Sequence, residues 1–303
     1  MNVSLMFLIA KLLLTKRARG GVFPTTISRA IPAHNSSWSY DASDDGIENW
    51  ARDYPKCSGT YQSPINIDSK NVVRNESLNL EMSGFSGKIY HAFIENNGHT
   101  VHLGLQGGER PSVTGSAVWN NTYVFEQLHF HWGKNSRIGS EHSVDSNFYP
   151  LEMHLVLYNK KYENFDQCLN KSDGLVVVAV FFRHSDHENE SLQTLINSIQ
   201  KVPIYGDATE LPGIDLDKLM PKNKKNFYRY RGSLTTPPCS EVVTWIILAQ
   251  PVNIGREQED TFRRERTNVI SSKTGDFSYL DENYRSQVAV NGRKIESSFN
   301  HRW

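Results

Sequence analysis

The chain has 303 residues and carries equal numbers of basic and acidic side chains, 33 Lys plus Arg and 33 Asp plus Glu. Because the two signs are mixed along the chain, neither a nucleic acid nor an anionic membrane surface is indicated as a partner. At this length one large β-rich domain buries enough surface to fold without a disulfide.

The first 34 residues differ from the rest of the chain, because they contain no Asp or Glu. An apolar run from Leu5 to Leu14, broken only by Lys11, is followed by basic residues. Its length suits a signal peptide and falls short of the roughly 20 apolar residues that span a bilayer. We therefore predict a leader over residues 1–34 that directs secretion, with no transmembrane segment beyond it. A mitochondrial transit peptide and an uncleaved leader that tethers the protein to a membrane are the alternatives.

The remaining residues, 38–303, form one predicted domain without internal repeats or low-complexity tracts. Six runs rich in Val, Ile, Phe, Tyr and Trp predict strands: Lys88–Glu95, Thr100–Leu105, Tyr123–Trp132, Leu151–Tyr158, Leu175–Phe182 and Val242–Leu248. The run Leu175–Phe182 lacks polar alternation, which predicts a central strand buried on both faces.

Helical signals are few. Apolar residues at helical spacing predict one helix between Leu192 and Ile199, ended by Pro203, and a weaker pattern predicts a second over Arg256–Val269. The elements together predict a mainly β fold, a large twisted sheet with a few short surface helices.

The cysteines number three, Cys57, Cys168 and Cys239, so at most one internal pair forms, and the spacing does not say which. Sequons for N-linked glycosylation, which are weak support for secretion, occur at Asn35, Asn75, Asn120, Asn170 and Asn189.

Two predicted strands carry histidines suited to metal binding. Within Gln127–Trp132, His129 and His131 share one face because side chains alternate along a strand. Within Glu152–Val156, His154 offers a third imidazole, although for that residue alone a hydrogen-bonded core histidine is the favoured interpretation. Three neutral imidazoles leave the fourth tetrahedral position of zinc open, which is the catalytic arrangement.

Seven blocks occur in a recognisable order: Gln62–Ile67, Asn96–His99, Gln127–Gly133, Gly139–Asp145, Glu152–Val156, Ser233–Pro238 and Val242–Ile247. In this order they resemble the alpha-class carbonic anhydrases, from about Trp38 to Phe299. The resemblance implies the fold of that family, a single domain with a mostly antiparallel central sheet. It also implies reversible hydration of carbon dioxide to bicarbonate and a proton, side hydrolysis of activated esters, and one zinc ion per chain.

The resemblance assigns the metal site residue by residue. His129, His131 and His154 correspond to the zinc ligands, and Gln127 and Glu152 to the acceptors that fix the tautomer and orientation of these imidazoles. Without the resemblance, Gln127 and Glu152 are ordinary polar strand residues.

The resemblance also assigns the catalytic groups. Thr235 corresponds to the residue that accepts a hydrogen bond from zinc-bound hydroxide, and Glu141 to the carboxylate that accepts from the threonine hydroxyl. His99 corresponds to the histidine that carries the released proton to buffer. Taken alone, Thr235 is a turn hydroxyl, Glu141 a solvated loop carboxylate and His99 a solvated residue after the turn pair Asn97–Gly98.

By the same resemblance, carbon dioxide lies in an apolar pocket lined by Val156, Val177, Leu234 and Trp245, and Thr236 contacts bicarbonate. Periodicity alone marks the four apolar residues as plain core. Sulfonamide-type compounds and anions are the inhibitors that the resemblance implies, and a dimer is left open.

Cys57 and Cys239 correspond to the disulfide of extracellular members of the family. Cys168 has no counterpart, and is either buried and inert or paired between chains. Strict alternation from His99 places His102 on the face away from the site, whereas the resemblance places it on the cavity wall, which requires a bulge or twist after Asn97–Gly98. We follow the resemblance.

Two other classes are weighed against the enzyme. A zinc-free binding module would lack ligands, yet all three histidines are present together with Thr235 and Glu141. A structural matrix protein is not supported, because the chain has no acidic repeat.

Overall fold

The computed structural model describes residues 38–270 and 277–300, so the predicted leader and the Asn35 sequon lie outside the described residues. Within these ranges the strands are β1 Asn66–Ile67, β2 Val73–Arg74, β3 Glu81–Ser83, β4 Ala92–Asn96, β5 Val101–Leu105, β6 Ser112–Thr114, β7 Tyr123–Trp132, β8 Ser143–Val144, β9 Leu151–Asn159, β10 Leu175–Ser185, β11 Ala208–Glu210, β12 Phe227–Gly232, β13 Val243–Gly255, β14 Arg266–Ile270, β15 Phe277–Tyr279 and β16 Glu296–Ser297.

The helices of the same ranges are short. The α-helices are α1 Trp50–Asp53, α2 Phe165–Cys168, α3 Gln193–Ile199 and α4 Arg256–Arg263. The 3-10 helices are Ile47–Asn49, Pro55–Ser58, Ser69–Asn71, Ser116–Val118, Glu190–Leu192 and Leu216–Leu219. None of the described helices has the length and apolar character needed to cross a membrane.

Among the described residues, one twelve-stranded sheet dominates the fold. Its main path runs β11-β4-β5-β7-β9-β10-β13-β12-β16-β2, and β3 and β6 join it beside β7. The β10–β13 and β16–β2 pairs are parallel, and the other pairs of this sheet are antiparallel. The predicted mainly β fold with a large, mostly antiparallel sheet is therefore confirmed.

The strand β10 lies at the centre of this sheet, between β9 and β13. Its residues from Leu175 to Phe182 are all buried, as the absence of polar alternation predicted. Val176, Val178 and Val180 point into the larger hydrophobic cluster on one face of the sheet. Val177 and Ala179 point into a second cluster on the other face, which also holds Trp245.

A register shift in β7 controls which side chains reach each face. Tyr123 and Phe125 point into the larger cluster, and after a bulge between Phe125 and Gln127 the residues Leu128 and Phe130 do so. The extra residue, Glu126, changes the parity of the alternation. All later odd-numbered side chains of β7 therefore lie on the opposite face, which carries the predicted metal site.

The two helix predictions have different outcomes. The helix between Leu192 and Ile199 is confirmed, with a 3-10 turn that leads into α3. The second was predicted to extend to Val269 but ends at Arg263, and β14 begins at Arg266. That part of the prediction is wrong, because β-branched residues follow and favour a strand, and the backbone N–H of Arg266 donates to Pro203 O at 2.9 Å.

Cys57 and Cys239 form the disulfide that the resemblance implied, across a sequence separation of 182 residues. Cys168 is free and completely buried, with its thiol directed at the backbone oxygen of Asn159. This position agrees with the alternative in which Cys168 is buried and inert, because a disulfide bond to another chain would require α2 to move and expose the thiol.

Candidate active site

The three predicted zinc ligands meet on one face of the sheet. His129 of β7 and His154 of β9 are direct partners across the antiparallel pair, and His131 follows two residues later on the same face. The ring centroids lie 5.0 Å (His129 to His131), 5.2 Å (His129 to His154) and 4.5 Å (His131 to His154) apart. One nitrogen from each ring lies within 4.8 Å of the others, which is close enough to share one metal ion.

Hydrogen bonds fix which nitrogen each ring offers to that point. Nδ1 of His129 is 2.9 Å from Oε1 of Gln127, and Nε2 of His154 is 2.7 Å from Oε1 of Glu152. A neutral imidazole donates from one nitrogen and keeps a lone pair on the other. Because each acceptor holds the N–H, Nε2 of His129 and Nδ1 of His154 keep their lone pairs for a metal.

The third ring completes the same pattern. Nδ1 of His131 is 2.8 Å from the backbone oxygen of Asn283. Its Nε2 is buried, with no hydrogen-bond partner among the residues that the structure describes. A buried imidazole nitrogen without a partner is costly unless something binds it. The donor set therefore fits a zinc ion with an open fourth position.

Burial keeps these rings neutral, as metal ligation requires. It lowers the pKa of His131 to about 3, with a further contribution from His154. It also lowers the pKa of His129 well below the usual range, with contributions from His131 and His154.

Glu152 is the centre of a buried hydrogen-bond network. Besides His154, it accepts from Nδ1 of His142 at 2.7 Å and from the backbone N–H of His142 at 2.8 Å. Nε2 of His142 is 2.7 Å from the Tyr230 hydroxyl, which donates to Ser63. Burial opposes ionisation of Glu152, but His142 and His154 hold the pKa of its carboxyl well below the usual range. Glu152 is thus a carboxylate that orients two imidazoles.

Glu141 is completely buried, which argues against the solvated loop carboxylate. Its Oε1 accepts from the backbone N–H of Arg285 at 2.9 Å. Thr235 is also buried, while Oε2 of Glu141 has no hydrogen-bond partner within the described residues. Burial and the charge of Glu152 raise the pKa of Glu141 well above its usual range, although the Thr235 hydroxyl and Arg285 lower it in part.

The apolar residues assigned to the substrate pocket lie next to the histidines. Val156, Val177 and Trp245 are in register across β9, β10 and β13. Leu234 packs against the same cluster, and the Trp245 ring lies 4.8 Å from that of His154. Nε1 of Trp245 donates to the backbone oxygen of Ser233 at 3.1 Å, which attaches the following loop to the sheet.

Thr236 is half-buried in the same loop, directly after Thr235. Its backbone oxygen accepts from the N–H of Cys239 at 2.9 Å. Leu234 N–H donates to Ser240 O at 3.0 Å. These bonds and the disulfide close the loop on both sides of Thr235.

His99 lies in a turn before β5 and is only 8% exposed, so it is not a solvated turn residue. Its ring stacks on Trp38, with centroids 3.8 Å apart and planes 13° from parallel. Burial lowers the pKa of His99 to about 4 in this position.

His102 lies on the metal-site face, because it is the direct partner of His129 across β5 and β7. No bulge occurs in the β4–β5 pairing. The turn before β5 instead supplies the change of direction that brings His102 to this face. In this turn Gly98 has φ +83°, and Asn97 Oδ1 accepts from the N–H groups of His99 and Thr100. His102 also lies 3.5 Å from Glu95, its partner on β4.

Sequence reasoning gave no role to Asn283, Arg285 or His142, all of which contact site residues. Asn283 and Arg285 lie in the stretch between Leu280 and Ile295, which has no assigned helix or strand. Asn283 accepts from His131 through its backbone oxygen, and its side-chain amide fixes it there by donating to the backbone oxygens of His99 and Phe130 and accepting from the N–H of Trp132. No local pattern around Asn283 indicates these partners. His142 was visible within the block Gly139–Asp145, but nothing in its spacing indicates that its ring links Glu152 of β9 to Tyr230 of β12.

Comparison with known proteins identifies the family of this chain. The family model described as eukaryotic-type carbonic anhydrase matches residues 45–299. Carbonic anhydrase 6 of Canis lupus familiaris is 36% identical over 271 residues, which cover 88% of this chain and 81% of the relative. Carbonic anhydrase 7 of Mus musculus is 36% identical over 264 residues, covering 86% and 97%. Carbonic anhydrase 12 of Homo sapiens is 37% identical over 235 residues, covering 76% and 64%. The chain therefore belongs to the eukaryotic-type, alpha-class carbonic anhydrases and is an enzyme of that family.

Proposed function

We propose that the domain of residues 38–303 is a zinc enzyme that reversibly hydrates carbon dioxide to bicarbonate and a proton. The observation that carries the proposal is the meeting of three neutral imidazoles, two buried and one half-buried, with one nitrogen of each within 4.8 Å of the others. His129, His131 and His154 would hold one zinc ion. When bound at such a site, zinc lowers the pKa of water to about 7, a value established on carbonic anhydrases themselves.

Thr235 and Glu141 orient the attacking oxygen. An ionised carboxylate only accepts hydrogen bonds, so the Thr235 hydroxyl would donate to Glu141 and accept from the attacking oxygen. This leaves a lone pair of that oxygen directed at the substrate. The raised pKa of Glu141 works against this role, because the charge of Arg285 offsets only part of the effect of burial and of the Glu152 charge. A divalent cation beside His131, whose Nδ1 lies 3.5 Å from Oε1 of Glu141, would favour the ionised carboxylate.

The substrate pocket has the chemistry that carbon dioxide requires. The molecule is apolar, so a pocket of hydrocarbon walls binds it without a charged group. Val156, Val177, Leu234 and Trp245 supply those walls beside His154. Thr236, half-buried at the same loop, would contact the bicarbonate product.

His99 would carry the proton between the site and the solvent. With a pKa of about 4 while stacked on Trp38, the ring holds a proton poorly near neutral pH. Transfer to buffer would therefore require the ring to leave Trp38 for a more hydrated position, where its pKa returns toward 6.5.

We also propose that the protein is secreted after removal of residues 1–34. Support comes from the composition of that segment and from the Cys57–Cys239 disulfide, because such bonds persist in oxidising compartments. Sulfonamide-type compounds and anions would inhibit at the same metal site.

The metal proposal is tested on the purified protein and on His131→Ala. We expect about one zinc per chain in the parent protein, with most zinc and most carbon dioxide hydration lost in the variant. His187→Ala, which alters an exposed histidine away from the cluster, is the control and should keep both. Full hydration activity after complete removal of metal with a chelator would contradict the proposal.

A further inference from the structure

Arg285 is a buried arginine, 8% exposed, that contacts the active site through its backbone and the disulfide segment through its side chain. Its N–H donates to Oε1 of Glu141 at 2.9 Å. Its guanidinium donates to the backbone oxygens of Cys57 and Ser63 and to Oε1 of Gln62, each at 2.9 Å. Arg285 therefore binds the Glu141 carboxylate through its backbone. Through its side chain it binds three acceptors in a segment more than 200 positions earlier in the chain.

The same network reaches the loop that carries Thr235. Gln62 is 3% exposed, and its Nε2 donates to the backbone oxygen of Cys239 at 3.1 Å. Cys239 is in turn bonded to Cys57. Cys57, Gln62, Cys239 and Arg285 thus form a closed ring of one covalent bond and buried hydrogen bonds, which we call the Arg285 network.

Glu141 and Thr235 come from separate segments, and no strand pairing places one relative to the other. Glu141 is attached to the Arg285 network at Arg285, and Thr235 is attached to it through Cys239. We propose that Arg285 is a positioning residue, which sets the position of the Glu141 carboxylate relative to the Thr235 hydroxyl. The inference rests on the proposed roles of these two residues in orienting the attacking oxygen.

The test compares Arg285→Ala with Arg229→Ala. Arg229 is the matched control, since its side chain is only 12% exposed and its guanidinium also binds two backbone oxygens, of Ser116 and Ala117, as well as Glu296. Both variants should lower the melting temperature. Only Arg285→Ala should lower kcat/KM for hydration, by about 10- to 100-fold per zinc-loaded protein, since small misplacements of catalytic groups have effects of this size.

A double-mutant cycle separates positioning from general destabilisation. If Arg285 acts through the Thr235–Glu141 pair, Arg285→Ala should cause little further loss of kcat/KM in a Thr235→Ala background. If Arg285→Ala does not fold, Gln62→Met replaces it, because this change breaks the network at its other side with similar volume. Gln62→Met should then lower kcat/KM with zinc retained.

Two results would overturn the inference. One is a normal kcat/KM in a folded, zinc-loaded Arg285→Ala or Gln62→Met protein, and the other is full additivity with Thr235→Ala. A parent protein that binds no zinc or does not hydrate carbon dioxide would instead reject the proposed function. The two failures are therefore distinguishable.

Discussion

Replacing Glu152 by Gln tests how strongly one buried acceptor controls metal affinity. The carboxylate accepts three N–H groups, from Nε2 of His154, Nδ1 of His142 and the backbone of His142. The substitution keeps the shape of the side chain but turns one acceptor oxygen into an NH2 donor. Because Oε1 accepts from both rings and Oε2 from the backbone N–H, NH2 at the position of Oε1 opposes two donors and NH2 at the position of Oε2 opposes one.

The two orientations have different consequences. With NH2 at the position of Oε1, His154 must move its proton to Nδ1, which removes the lone pair that a metal needs. With NH2 at the position of Oε2, the backbone N–H of His142 loses its acceptor, and an unsatisfied buried donor costs about 1–3 kcal/mol. We therefore expect Glu152→Gln to weaken zinc binding by about 10- to 100-fold, equivalent to about 1.4–2.7 kcal/mol.

The assay is competition for zinc between the folded protein and a chelator of known affinity. Gln127→Glu is the matched control. Nδ1 of His129 donates to the amide oxygen of Gln127, and a carboxylate oxygen at the same position would accept that hydrogen bond equally. The control should bind zinc as well as the parent protein or more tightly. If Glu152→Gln binds zinc within twofold of the parent, the tautomer argument is wrong.

Three further predictions concern Thr235 and His99. Thr235→Ala should lower kcat/KM for hydration by about 100-fold with zinc retained, as for the loss of one preorganised hydrogen bond, and an unchanged kcat/KM would reject its role. His99→Ala should lower kcat in weak buffer, leave kcat/KM unchanged and recover with added imidazole, whereas kcat independent of buffer in both proteins would exclude the relay. Between pH 6.5 and about 4, His99 is protonated in the unfolded chain but neutral in the folded protein. The free energy of unfolding therefore decreases as the pH is lowered through this range. When the pH is lowered from 7 to 5, the free energy of unfolding measured with urea should therefore fall by about 2 kcal/mol less in metal-free His99→Ala than in the metal-free parent.

The sheet and the shared face of His129 and His131 could be predicted because they depend on local patterns, whereas His154 was assigned as the third ligand through the family resemblance. The alternation around His129 and His131, and the apolar run from Leu175 to Phe182, specify faces and burial from neighbours in the chain. The end of α4 was missed because the residues after Arg263 continue a weak helical pattern that strand pairing overrides.

The supporting shell of the site could not be predicted in this way. The acceptor for His131 is a backbone oxygen 152 residues later, at Asn283. Arg285 reaches Glu141 through a backbone N–H. The stacked position of His99 depends on Trp38, a residue 61 positions earlier in the chain and in no strand. Such contacts depend on how irregular segments pack, and residue type and spacing carry little information about that.

The proposed metal ligands and the pair proposed to orient the attacking oxygen, Glu141 and Thr235, are separated along the chain in a way that bears on folding. All three imidazoles belong to one antiparallel pair, β7 and β9, whose residues are close in sequence. Contacts of short sequence separation form early, whereas those that close long loops form late. The N–H group at Arg285 reaches Glu141 across 144 residues, and the disulfide closes a separation of 182. A nascent or partly folded chain can thus gather its imidazoles before its carboxylate and threonine are in place, so the proposed zinc ligands would be assembled before the pair that orients the attacking oxygen.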